Sequence, residues 1–300
     1  MGAVLFLSAK QSGTPPAPKP LPTAVRPLQA SGVTNLFQLS SRIYSGSAPE
    51  GDAGFATLAA LGIKTIISVD GAKPDVEAAA RFGIRYVHLP FGYDGVPTNQ
   101  AMRLVKAAET LPGPVFIHCH HGQHRGPAGA ATVCMAMEGW SPEQATAWLK
   151  TAGTATNYAG LYRTVAQFHP PTIDELERVP TDFQPRVDVS PLATTMLEID
   201  QRMDELTLIK EAGYRTPAAH PDLEPTHQSL LLHELFKELL RSPSTGKRSA
   251  DFRAQLGRAE SAAAALESGW SGSPVDAEKA GAAFKQMNNA CSVCHQAFRN

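Results

Sequence analysis

The sequence has no surplus of charge of either sign: 27 Lys and Arg stand against 28 Asp and Glu, for a formal net charge of -1. So balanced a chain carries no field that would hold a nucleic acid or an anionic membrane. Long apolar runs are missing as well, since none approaches the roughly 20 residues needed to span a bilayer. Cysteine is scarce. Four residues are too few for a disulfide scaffold, so their spacing carries the information rather than their number. What remains is an ordinary globular composition, 43% hydrophobic and 18% charged, over 300 residues. That length suits two domains, each able to bury its own core. No internal repeat is visible.

The first 32 residues read as a leader. Ala3–Leu7 is a short apolar stretch with no basic residue ahead of it, and Thr14–Pro27 is rich in proline. A disordered leader fits this composition, with a clipped signal peptide as the alternative. Residues 33–170 then alternate strand-like runs with helical ones. Strands are expected at Leu36–Leu39, Arg42–Ser45, Lys64–Val69, Arg85–Leu89 and Val115–His118, and helices at Gly54–Leu61, Asp75–Phe82 and Thr98–Leu111. Three further helices follow, at Gly126–Glu138, Pro142–Thr151 and Tyr158–Phe168; Ser141-Pro142 is a cap and first-turn signal for the second. Alternation of this kind predicts an α/β layer with a central, mainly parallel sheet flanked by helices.

The composition shifts after His169. Residues 171–189 are rich in proline without periodicity and read as a linker. Residues 190–300 show helical periodicity only. Leu192, Met196, Ile199, Met203, Leu206 and Ile209 recur at steps of three and four, which marks one buried helical face. Similar faces run from Leu231 to Leu239, from Phe252 to Leu266 and from Ala277 to Phe298, the last preceded by the capping pattern Ser273-Pro274-Val275-Asp276. Four amphipathic helices predict an all-α four-helix bundle.

The chemistry of the first domain concentrates in V-F-I-H-C-H-H-G-Q-H-R-G. A buried strand ends at His118, Cys119 follows, Arg125 closes a C-x5-R spacing, and a helix of small residues opens at Gly126. A loop entering a helix in this way turns backbone N–H groups toward a bound oxyanion, and the positive helix end favours a thiolate placed there. The planar fork of Arg125 suits two phosphate oxygens. A thiolate, a ring of donors and an arginine are what nucleophilic attack on a phosphate ester needs. Cys134, inside an apolar helix, reads as a core residue.

This segment resembles the H-C-x5-R signature of the protein-tyrosine phosphatase superfamily, its dual-specificity branch in particular. N-L-F-Q-L-S-S-R-I-Y-S-G-S-A-P looks like that branch's opening hairpin, and G-F-A-T-L-A-A-L-G-I-K-T-I-I-S-V like its next helix and strand. The resemblance implies a phosphocysteine at Cys119, phosphate held by Arg125, and an aspartate on a separate loop that protonates the leaving oxygen. Asp94, in L-P-F-G-Y-D-G-V-P, has the placement of that general acid, with Asp70 as competitor. Two features depart from the family. Gly126 stands where Ser or Thr usually assists departure of the thiolate, and the loop carries His120, His121 and His124, which add charge, bind a metal or point to solvent.

The second motif is C-S-V-C-H at the end of the final helix. Cys291 and Cys294, three residues apart on a helix, share a face and can both reach the vinyl groups of one haem, and His295 can supply an axial nitrogen. Half a zinc site would need further ligands at similar spacing, and a thioredoxin-type pair would start a helix rather than end one. Together with four helices, A-C-S-V-C-H-Q-A-F-R is similar to the cytochromes c-prime. The likeness implies covalent haem c with His295 as the only protein ligand. Met196, Ile199 and Met203 would form the opposite wall, Met203 being the alternative ligand. Partners would be a phosphorylated substrate and a small gas or a redox protein. Haem attachment of this type implies a bacterial periplasm. The expected activity is phosphoric monoester hydrolysis joined to gas sensing or electron transfer. The rivals are a cytochrome whose first domain only binds an oxyanion or a partner, and a sulfurtransferase acting through Cys119.

Overall fold

The computed structural model describes residues 25–156, 158–272 and 275–298. The expectations for residues 1–24, and for the Ser273-Pro274 part of the last cap, lie outside the described residues. The chain begins with β1 (Arg26–Ala30), β2 (Val33–Gln38) and β3 (Ile43–Gly46), followed by α1 (Gly51–Ala60), β4 (Thr65–Ser68), α2 (Val76–Arg81) and β5 (Arg85–His88). It continues through α3 (Thr98–Thr110), β6 (Val115–His118), α4 (Arg125–Met137), α5 (Pro142–Thr151) and α6 (Ala159–Gln167). The sheet is mixed, in the order β1-β2-β3-β6-β4-β5. Pairing is antiparallel from β1 to β3 and parallel across β3, β6, β4 and β5.

Both faces of the parallel part are covered, and the alternation along each strand shows how. Tyr44, Ile66, Tyr86 and Phe116 face a core with Phe55 and Leu58 of α1 and Ala78 and Ala79 of α2. Their neighbours Ile43, Ile67, Val87 and Ile117 face a larger core supplied by α3 to α6. The cap expected at Ser141 is present as a full capping box: its side chain accepts from the Gln144 N–H while the Gln144 side chain accepts from Ser141.

Two boundaries differ from expectation. Residues 25–30 are not leader: β1 is a strand, and Val25 packs on the core. Pro27 disguised it, because proline is tolerated only where a strand lies at a sheet edge, and β1 is that edge. Residues 171–189 are not a bare linker either. They contain α7 (Ile173–Glu177) under a Thr172/Glu175 capping box, and Phe183 lies in the main core, 5% exposed. The segment is strapped to the sheet by the His88 N–H, which donates to the Gln184 carbonyl at 2.9 Å. The Val187 N–H in turn donates to His88 Nδ1 at 3.1 Å. Arg186 adds a bond to the Pro74 carbonyl at 3.0 Å and an ion pair with Glu77.

The rest of the chain is helical: α8 (Pro191–Glu211), α9 (Pro225–Arg241), the short α10 (Pro243–Gly246), α11 (Ala250–Trp270) and α12 (Ala277–Phe298). Ser190 caps α8 with Pro191 in its first turn, and Asp276 caps α12 by accepting from the Glu278 and Lys279 N–H groups. The four long helices pack in sequence, α8 on α9, α9 on α11 and α11 on α12, around a core that includes Leu206, Leu232, Leu256 and Phe284. No described helix is long and apolar enough to cross a membrane.

Docking of the 171–189 strap predicts the cost of removing its anchor. Phe183→Ala should destabilise the α/β unit by about 3–5 kcal/mol, as large buried aromatics do. Calorimetric unfolding of the full chain would register this as a lower transition for that unit. A change below ~1 kcal/mol would show that the strap does not hold the core.

Candidate functional site

Cys119 sits at the carboxyl end of β6, the strand paired on both sides by parallel neighbours, which is where open α/β sheets receive ligands. The loop that follows is held from outside through its carbonyl groups. Ala48 N–H donates to the His120 carbonyl at 2.9 Å, Asn35 Nδ2 to that of Gly122 at 2.8 Å, and Thr154 Oγ1 to that of Gln123 at 2.5 Å. A planar trans peptide points its N–H opposite to its C=O, so each tethered carbonyl turns the next residue's N–H toward the inner side of the loop. Gly122 is required here: its φ is 68°, and a Cβ would lie 2.3 Å from the Gly46 carbonyl carbon.

Arg125 opens α4 and is 6% exposed. Its Nη2 pairs with Asp70 Oδ1 at 3.2 Å, and the Tyr93 ring lies 4.4 Å from the guanidinium carbon. The guanidinium Nε is buried without a hydrogen-bond partner among the described residues, and so is Asp70 Oδ2. An orphaned donor on a buried cation beside Cys119 is what an anion site looks like before its ligand arrives. Burial weighs against both charges, but each outweighs it for the other: Asp70 is held below its ordinary range and Arg125 above.

Asp94 lies exposed on the loop between β5 and α3 that also carries Tyr93. Its backbone rests against Gly160, where a Cβ would approach the Asp94 carbonyl to 2.2 Å, and the neighbouring Val96 N–H donates to Thr164 Oγ1 at 2.9 Å. The structure thus gathers Cys119, Arg125 and the Asp94 loop at one end of the sheet. It ties the rival, Asp70, to Arg125, so that Asp70 is a carboxylate that keeps no proton near neutrality. Gly126 packs so tightly that a Cβ would come within 2.9 Å of Cys119 N. A serine or threonine side chain has no room there unless the loop shifts.

His118, the residue before Cys119, is 2% exposed. Tyr86 Oη is 2.7 Å from its Nε2, and its Nδ1 is 3.3 Å from the Cys119 carbonyl. A carbonyl can only accept, so Nδ1 carries the proton and Nε2 accepts from the phenol. Cys134, fully buried in α4, has its thiol pushed well up by burial and is a core residue.

Cys291, Cys294 and His295 all line one cavity of about 550 Å³, within the size range of cofactor and ligand sites. The cavity lies between α8 and α12, which are not a close-packed pair. Met196, Ile199 and Met203 line it from α8, and Phe236, Phe252 and Leu256 from α9 and α11. Two thiols, an imidazole and apolar walls fit a covalently held haem. Sequence reasoning missed that the cavity also reaches Phe91, Tyr93 and Arg125, so it is bounded by both units. Nor did it anticipate Asp200 and Asp204 of α8, which sit against His120 and His121 of the loop.

Sheet, loop and helix end together define a phosphatase-like α/β unit with an anion cradle. Two curated proteins, each named dual specificity protein phosphatase TpbA, match the N-terminal half of the chain. The one from Pseudomonas aeruginosa strain UCBPP-PA14 is 31% identical over 123 residues, and the one from strain PAO1 is 30% identical over 123 residues. Each match covers 40% of this chain and 55% of the relative, so the chain spans about half the length of the curated relatives it matches. No family model matches. Among solved structures, P. aeruginosa TpbA in complex with pTyr aligns with 49% of this chain and 98% of its own, at 21% identity and a TM-score of 0.38. The core catalytic domain of the PP-IP phosphatase SIW14 from S. cerevisiae, in complex with citrate, aligns with 50% and 93%, at 17% identity and a TM-score of 0.44.

The burial of His118 has a consequence for acid stability. Burial pushes its pKa from 6.5 down to about 4, although Asp70 pulls the other way. Between those values the unfolded chain takes up a proton that the folded one refuses. The stability is therefore complete above pH ~6.5 and is lost as pH falls toward 4. About 2 kcal/mol should disappear between pH 7 and pH 5. Protection factors of the β6 amides at the two pH values measure this, and His118→Asn should flatten the dependence. A wild-type slope that survives in that variant would assign the effect to another group.

Proposed function

We propose that this chain is a cysteine-dependent phosphoester hydrolase whose α/β unit is joined to a haem-carrying four-helix bundle. The observation that carries the first part is the buried guanidinium of Arg125, with its Nε–H left without a protein partner beside Cys119. In this reading Arg125 and the loop N–H groups hold three phosphoryl oxygens, and Cys119 Sγ attacks phosphorus. Asp94 donates a proton to the leaving oxygen, because Asp70, held ionised by Arg125, has none to give. Water then attacks the phosphocysteine and frees the thiolate. The absent hydroxyl at Gly126 makes this second step the slower one. The match to named dual specificity phosphatases supports a protein phosphomonoester as substrate class.

The second part rests on the donor set at the end of α12. Cys291 and Cys294 would form the two thioether bonds and His295 the axial bond, and the bound haem would supply an iron that takes a small gas or an electron. Met196, Ile199 and Met203 would close the opposite side with apolar atoms, which favours a neutral diatomic ligand over an anion. Covalent attachment of this kind is carried out in the bacterial periplasm, which would be the protein's location in this reading.

Cys119→Ser should abolish turnover of a phenyl phosphate while leaving oxyanion binding intact. Asp94→Asn should slow the enzyme by roughly 10²–10⁴-fold, most for poor leaving groups. If Asp70→Asn shows that leaving-group dependence and Asp94→Asn does not, Asp94 is not the acid.

Protein produced with a haem-attachment system should keep its Soret band through acid-acetone extraction. Its ferrous form should be high-spin, with His295 as sole protein ligand. Colour that leaves with the solvent would remove covalent haem. A low-spin ferrous spectrum that turns high-spin in Met203→Ala would make Met203 a ligand and electron transfer the better role.

A further inference from the structure

His120 and His121, the two residues after Cys119, meet the acidic edge of α8. Their rings lie 4.2 Å apart, centroid to centroid. His120 Nε2 is 3.4 Å from Asp204 Oδ2, and His121 Nε2 is 3.7 Å from the same oxygen and 3.5 Å from Asp200 Oδ2. The ligand atoms of His120, His121 and Asp204 all lie within 4.8 Å of one another. From this cluster the geometry points to a binding site for a zinc-class divalent cation, with His120, His121 and Asp204 as ligands and Asp200 at its edge, joining the nucleophile loop to the helical unit.

Three features support an ion rather than simple ion pairs. Charge-assisted N–H···O bonds close to about 2.7–2.9 Å, and all three separations here are longer than that. Ligand atoms around a tetrahedral zinc, each about 2.0–2.2 Å from the metal, stand about 3.3–3.6 Å apart. The His120–Asp204 separation of 3.4 Å falls in that range and the His121–Asp204 separation of 3.7 Å lies just beyond it. Next, His120 Nε2 is shut off from solvent and has no hydrogen-bond partner among the described residues, although it faces a carboxylate. With the ring proton on Nδ1, Nε2 offers a lone pair that a metal ion satisfies and that the facing carboxylate, itself an acceptor, does not. The donor set of two imidazoles and one or two carboxylates is also the combination that suits zinc and its neighbours. Side-chain exposures of 33% for His120, 39% for His121 and 52% for Asp204 leave the ion a path from solvent.

The arrangement also has a structural purpose. Asp200 and Asp204 are four residues apart and so share one face of α8. His120 and His121 are fixed to the cradle through the Ala48–His120 bond. An ion between them would clamp α8 across the loop that holds Cys119. This site does not depend on either half of the proposed function: it requires neither turnover nor haem.

The test is zinc binding by the full chain, stripped with chelator and titrated at neutral pH. One equivalent should bind in the wild type, and Asp204→Asn should weaken it at least about 100-fold, since loss of an outer-shell partner alone costs up to that much. Asp204 is half exposed, so this variant should fold, and His121→Asn provides an independent second loss. X-ray absorption at the zinc edge separates the site from Cys291, Cys294 and His295. Nitrogen and oxygen scatterers at about 2.0–2.1 Å, with none at the ~2.3 Å of a thiolate, support the proposal. A sulfur shell, wild-type affinity in Asp204→Asn, or no stoichiometric binding would each overturn it.

Discussion

Asp70 and Arg125 are both almost wholly removed from water, and charges so placed are tolerable only when each has the other beside it. Their pairing joins the end of β4 to the first turn of α4, so the guanidinium is fixed by the sheet and not by its own flexible stem. A single contact at 3.2 Å leaves Arg125 Nε and Asp70 Oδ2 unspent. The pair is thus incomplete, and in the proposed reading an incoming oxyanion would find a donor already oriented and already dehydrated. Preorganisation of this kind moves the desolvation cost from the moment of binding to the moment of folding. Tyr93 follows from the same constraint. Its ring covers the guanidinium that Asp70 holds in place, and Asp94 is the next residue on the same loop.

The neutral His118 belongs to this frame as well. A charged imidazole next to Cys119 would compete for the carboxylate of Asp70, whereas a neutral one, accepting from Tyr86 and donating to the Cys119 carbonyl, fixes the end of β6 without adding charge. The orientation of Cys119 is therefore supported by uncharged hydrogen bonds, and the buried charge beside it is one ion pair.

The parts that sequence made legible were those whose chemistry is contiguous. Cys119 and Arg125 share one loop, and a strand before it and a small-residue helix after it are local signals. The four amphipathic faces after Ser190 were legible for the same reason, because periodicity is local. What escaped was whatever depends on distant partners or on an exception. β1 contains Pro27, which only its edge position permits. The strap around Phe183 has no period, since its bonds to His88 and Pro74 are individual. Asp70 could be seen as a carboxylate near the site, but only the fold shows it spent on Arg125. Asp200 and Asp204 look like the solvent face of a helix until α8 is seen to lie against His120 and His121.

That helix is where the two units meet, and its periodicity explains how one element serves both. At about 100° per residue, Met196 and Met203 point within 20° of each other, while Asp200 lies about 40° and Asp204 about 80° round from Met196. The apolar stripe thus enters the cavity shared with Cys294 and His295, and the acidic residues form its border on the side of the loop. A helix is stiff along its length, so these stripes cannot move independently. Asp200 and Asp204 on that border lie against His120 and His121, one and two residues from Cys119. One helix therefore presents one face to the cavity and its border to the loop that holds Cys119.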